Sequence, residues 1–176
     1  RGRYNGRRLC IRRELGLSLF AIHDEGMCRS ATESGFFTGI RVHESNPYYC
    51  AVDGVLFDAT MDNLLFYPSA KPDKVYTTPD TITRINRGAF DLANNLIHLK
   101  ISDSVSKIDE CAFYCMRELE RIELSSSLSV LEAGLFWGCI KLEDISFPDT
   151  ITTIEMGVFN ETAIYAIHIP PNVTRI

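Results

Sequence analysis

The chain contains no run of eighteen or more apolar residues, so no membrane span is visible in it. None of its 6 cysteines forms a C-x-x-C pair, which removes the usual zinc spacing. Its 4 histidines give no H-x-x-x-H or H-E-x-x-H, and there is no phosphate-binding glycine loop and no G-x-S-x-G elbow. A net charge of -5 lacks the basic excess that a nucleic-acid partner requires. No nucleophile sits beside a base, so neither an enzyme nor a cofactor is expected. What remains is ordinary for a globular domain: 176 residues, 45% hydrophobic and 23% charged, enough for a real core.

What the chain does have is repetition. The phrase TPDTITRINRGAF starts at Thr78, ISDSVSKIDECAF at Ile101, LSSSLSVLEAGLF at Leu124 and FPDTITTIEMGVF at Phe147, always 23 residues apart. A period of this length is the signature of a solenoid. Its apolar columns read directly: Ile82, Val105, Leu128, Ile151 and Val173; Ile85, Ile108, Leu131, Ile154 and Ile176; Phe90, Phe113, Phe136 and Phe159. Leu96, Leu119, Leu142 and Ile164 follow, then Leu99, Ile122, Ile145 and Ile167, then Ile101, Leu124, Phe147 and Ile169. The last repeat is one residue shorter between Phe159 and Ile164.

Within a repeat, Ile122-Glu123-Leu124 alternates in and out as a half-buried strand does. A corner of Pro or Ser, a polar residue, then Ser, Thr or Asn can bond the nearby backbone. A second short extended segment follows, then a stretch around Ala112-Phe113 that reads as a helical or 3-10 turn. Helical hairpins fit poorly, because the Ser, Thr, Ile and Val content and the Pro corners suit strands. Each coil is too small to bury its own apolar face, so stacking must do it. Upstream, Phe37–Val42 also fits the strand pattern, and Val55–Phe57 and Leu64–Tyr67 flank a polar turn, which reads as a β-hairpin.

The hairpin phrase NPYYCAVDGVLF with LLFYP, the phrase TPDTITRINRGAF and repeats such as AFYCMRELERIELSSSLSVL resemble the BspA-type leucine-rich repeat proteins. The resemblance covers about residues 36–176. The expected fold is a β-rich leucine-rich-repeat solenoid: ~23-residue coils, a parallel strand face, short helical or 3-10 turns and an inserted β-hairpin near the N-terminal end. Residues 1–35, with six Arg in the first 13, form an N-terminal segment, read as a cap or a poorly ordered leader. Residues 36–176 form the repeat domain, with a variant first coil carrying the hairpin insertion at 43–74 and regular repeats at 78–176. The chain starts at Arg1 and its last residues, PPNVTRI, stop partway through a repeat, which reads as a piece of a longer protein. The resemblance implies a surface or secreted protein whose repeats are adhesive or bind a host or extracellular protein.

The remaining polar residues are read as surface. His98 and His168 fall on outward strand positions, while His23 and His43 lie in or beside irregular segments. Cys111 stands where Gly88, Gly134 and Gly157 stand in other repeats. Cys115 and Cys139 sit on adjacent coils, one column apart, where either a disulfide or two packed thiols fits. Asn160-Glu161-Thr162 and Asn172-Val173-Thr174 are sequons, read as chance occurrences at polar corners. The candidate partner-binding face is an outward column of Arg41, Thr77, Lys100, Glu123, Ser146 and His168. Beside it run Gly39, Val75, His98, Arg121, Asp144 and Ala166. Lys100 should neighbour Glu123, and Arg121 should neighbour Asp144. Three functions compete: protein-binding adhesin, spacer displaying another domain, and glycan-binding module. The last is disfavoured because the exposed aromatics, read as Tyr48, Tyr49, Tyr67 and Trp137, show no obvious cluster. The final strand, Ile167-His168-Ile169, is expected to leave an open edge prone to self-association.

Overall fold

The computed structural model describes residues 38–176. The N-terminal segment, with Cys10, Cys28 and His23, lies outside the described residues, as does Phe37. Eleven strands and no helix appear among the described residues. Three antiparallel or mixed-sheet strands come first: β1 (Tyr49–Val52), β2 (Val55–Asp58) and β3 (Asn63–Phe66). Two series then alternate. One is β4 (Val75–Thr77), β6 (His98–Lys100), β8 (Arg121–Glu123) and β10 (Asp144–Ser146). The other is β5 (Arg84–Ile85), β7 (Lys107–Ile108), β9 (Val130–Leu131) and β11 (Thr153–Ile154).

The first series is a parallel sheet in the order β10-β8-β6-β4. Its register steps by the repeat: Leu99 pairs with Tyr76 and Ile122, and Ile122 pairs with Ile145. In the second series β5 pairs with β7, and β9 with β11. Each coil therefore crosses from the first sheet, through a polar corner, to a two-residue strand, and back through a turn. At the corner, side chains replace the ladder. Ser102 N donates to Thr78 Oγ1 at 2.8 Å, and Ser126 N and Oγ both donate to Asp103 Oδ1, at 2.8 and 2.7 Å.

The turn holding the phenylalanines is a chain of single hydrogen-bonded turns rather than the expected helical or 3-10 segment. The reason lies in its bonds to the next coil. Phe90 N donates to Ala112 O at 2.9 Å, Phe113 N to Leu135 O at 3.2 Å and Phe136 N to Val158 O at 2.9 Å. Donors spent between coils cannot build a helix within one. Two residues per turn are left-handed. Gly88, Cys111, Gly134 and Gly157 form one such column, and Leu92, Cys115, Gly138 and Glu161 the other.

Phe90, Phe113 and Phe136 are fully buried. Their rings follow one another at 5.6 Å and 5.5 Å, and Phe136 meets Phe159 at 6.1 Å. Tyr67 extends this spine, stacked on Phe90 at 5.1 Å and only 1% exposed, which corrects its reading as an exposed aromatic. Burial decays toward the last coil: Phe159, Ile164 and Val173 are half-buried, and Ile176 is 84% exposed.

The hairpin is larger than expected. β2 pairs antiparallel with β3, but β1 also pairs with β2. Asp53 (φ 49) and Gly54 (φ 79) join β1 to β2, both at positive φ, as a two-residue type I′ turn requires. β3 then runs parallel to β5, so the hairpin is continuous with the second sheet.

Candidate binding face

Period-two alternation sends Leu99, Ile122 and Ile145 inward and their neighbours outward. The expected columns form where the sheet exists. Thr77, Lys100, Glu123 and Ser146 align, and Val75, His98, Arg121 and Asp144 align beside them. The two ends of the outer column do not form. Residues 38–42 are not a strand, so Arg41 is exposed but off the ladder. Ile40 N instead bonds Gly54 O at 2.8 Å, tying this segment to the meander. Residues 167–169 are likewise not a strand, and His168 is exposed.

The centre of the face is Glu123. Its Oε1 lies 3.0 Å from Arg121 Nη2 and 3.2 Å from His98 Nε2, and its Oε2 lies 3.8 Å from Lys100 Nζ. Three cationic or basic groups thus share one carboxylate. The expected Lys100–Glu123 contact is present. Arg121 and Asp144 are register partners on adjacent strands, as expected, and the Arg121 side chain reaches along its own strand to Glu123. The His98 approach lacks the alignment of a hydrogen bond, and Nε2 is buried there. Val75, 59% exposed, adds an apolar contact at one edge.

The opposite strand series carries a second charged cluster, which sequence reasoning missed. Arg84 Nη2 donates to Asp109 Oδ2 at 2.7 Å and its Nε donates to the same oxygen at 3.0 Å. Lys107 reaches Asp109 at 3.8 Å, and Arg87 reaches Glu110 at 3.5 Å. The signal was available in the columns, since Asp109 follows Arg84 by 25 residues, one repeat plus one outward step.

Other candidate residues separate. His43 Nδ1 bonds Ser45 Oγ at 2.7 Å in a local turn. Cys50, Cys111, Cys115 and Cys139 are not in disulfides. Cys139 is buried, donates to Phe113 O at 3.1 Å, and has its thiol pushed up to about 12 by burial. No group of three or more His, Cys, Asp or Glu among the described residues could hold a metal ion. Among them, no helix is long and apolar enough to cross a membrane.

Residues 60–176 match the family described as the BspA type leucine rich repeat region, in 6 copies. No curated protein matches the chain. Among solved structures, a leucine rich cell surface protein from Faecalibacterium prausnitzii is 37% identical, with a TM-score of 0.62, over 64% of this chain and 31% of its own. A leucine-rich repeat protein from Bacteroides ovatus is 24% identical, with a TM-score of 0.59, over 73% of this chain and 35% of its own. The Treponema pallidum leucine rich repeat protein is 21% identical, with a TM-score of 0.62, over 76% of this chain and 63% of its own. The chain thus spans less than two thirds of the length of each.

Proposed function

The chain belongs to the BspA-type leucine-rich repeat proteins, and from that premise we propose that it is a non-catalytic protein-binding module, acting in adhesion at a cell surface. Its partner is a host or extracellular protein. The observation that carries this is the exposed strand face centred on Glu123, with Lys100, Arg121 and Thr77 exposed around it and His98 half-buried. Exposed pairs of this kind contribute only about 0–1 kcal/mol each to folding. The fold therefore does not need them, and a polar face on a rigid solenoid suits a partner. The surface location is supported by the Faecalibacterium prausnitzii neighbour, which is described as a cell surface protein.

The test is capture on an array of purified extracellular-matrix proteins. Arg121→Glu combined with Glu123→Arg should weaken capture at least about tenfold, roughly 1.4 kcal/mol, with an unchanged melting curve. Unchanged capture removes this face as the binding surface. We also infer that the 176-residue polypeptide self-associates through apolar side chains of its last coil; the measurement for this is given in the Discussion.

A further inference from the structure

One position after the phenylalanines, each coil presents another side chain: Asp91, Tyr114, Trp137 and Asn160. The backbone holds this row in step. Leu92 N bonds Tyr114 O at 3.1 Å, Cys115 N bonds Trp137 O at 2.8 Å, and Gly138 N bonds Asn160 O at 2.9 Å. The Tyr114 and Trp137 rings lie 6.4 Å apart at 60°. Trp137 is 39% exposed. Asn160 is exposed on the next coil, and Ile140 flanks the row at 52% exposed. Lys141 is paired with Glu118 at 2.6 Å. The row itself contains no cation.

We propose that Tyr114, Trp137 and Asn160 form a binding ledge for a neutral, linear polysaccharide running along the solenoid axis. The C–H face of a sugar ring packs on an aromatic face, and its hydroxyls bond the Asn160 amide. A pyranose unit is about 5 Å long, close to the ~4.8 Å step between stacked parallel strands. Successive sugars therefore meet successive coils. A nucleic-acid strand would stack on the same rings but needs a cationic groove beside them. An anionic polysaccharide meets the same objection. The ledge uses turn-layer columns, separate from the strand face around Glu123.

Trp137 is the chain's only tryptophan, because the sequence contains Trp 1, so its fluorescence reports this ledge alone. The whole chain is titrated with cellohexaose, mannohexaose and laminarin. At least one should give a saturable emission change. Calorimetry should then show binding weakened more than about tenfold in Trp137→Ala and several-fold in Asn160→Ala, with melting unchanged. Trp137→Phe, which keeps an aromatic on the corner, should retain part of the affinity. The Arg121→Glu, Glu123→Arg variant should bind as the parent does, which separates this site from the strand face. No saturable change with any of the three saccharides overturns the proposal. So does equal binding by Trp137→Ala, or Trp137-dependent capture of a protein with no saccharide response.

Discussion

The sulfur of Cys115 sits against the bare Cα of Gly138 on the next coil: a Cβ at Gly138 would stand 2.7 Å from it and 3.4 Å from the Cys115 Cα. Gly138 also has φ +79. Gly138→Ala therefore meets both a clash and left-handed strain, and should cost about 2–4 kcal/mol. In a Cys115→Gly background the clash is relieved, and the same change should cost only about 1 kcal/mol. Denaturant melts of the four proteins give the coupling. Equal cost in both backgrounds would mean that the two residues are not in contact.

Phe113 is fully buried between the rings of Phe90 and Phe136. Phe113→Ala should destabilise by about 3–5 kcal/mol, as buried aromatic truncations do. Phe159 is only half-buried, so Phe159→Ala should cost clearly less. Chemical denaturation ranks the two; a reversed order would contradict the decay of burial along the spine.

Asp91 is held in the first regular turn with its Oδ1 buried and without a hydrogen-bond partner, and burial pushes its carboxyl up to about 6. The neighbouring titratable group is the Cys115 thiol, which the Asp91 charge pushes further up after burial has raised it. A carboxyl whose folded pKa is raised disfavours folding when ionised. The penalty is present above about pH 6, fades as pH falls from there, and is gone below the ordinary carboxylate range near 4. Asp91→Asn should therefore stabilise the protein at pH 7 by roughly 1–3 kcal/mol and change little at pH 4. Melting both proteins across that range decides it; a difference that grows on acidification would have the wrong sign.

The core was legible because burial repeats with the chain: Ile82, Val105, Leu128 and Ile151 are each no more than 1% exposed, as their shared column requires. The left-handed column was half legible. Glycines announce it at 88, 134 and 157, but Leu92, Cys115 and Glu161 carry positive φ without any sign in their side chains. β1 was missed although Asp53-Gly54 is a strong short-range hairpin signal, because the hairpin was read from Val55–Phe57 and Leu64–Tyr67, which leaves that pair ahead of its first strand. Ile167-His168-Ile169 keeps the strand pattern without forming a strand, because alternation alone does not supply the ladder bonds that make one. On the candidate face, the alignment of Lys100 with Glu123 followed from alternation. The alignment of Arg121 with Asp144 followed in the same way, whereas the added contact of Arg121 with Glu123 did not, because strand register does not fix where a long side chain reaches.

The last coil exposes what the others bury. Ile154 is 4% exposed, whereas Ile176, in the same column, is 84% exposed; Tyr165 is 93% exposed and Ile169 41%. The backbone ladder continues only as a single bridge, Thr153 to Arg175, with Ile154 N bonding Arg175 O at 2.9 Å. Exposed apolar groups on this coil, where only a single bridge continues the ladder, favour association between copies. The 176-residue polypeptide should therefore show a mass that rises with concentration in light scattering. Tyr165→Lys with Ile176→Lys should return it toward the monomer without lowering the melting temperature, because neither side chain is packed. A parent that stays monomeric at high concentration, or a double variant that associates as strongly, would rule out this end as the contact.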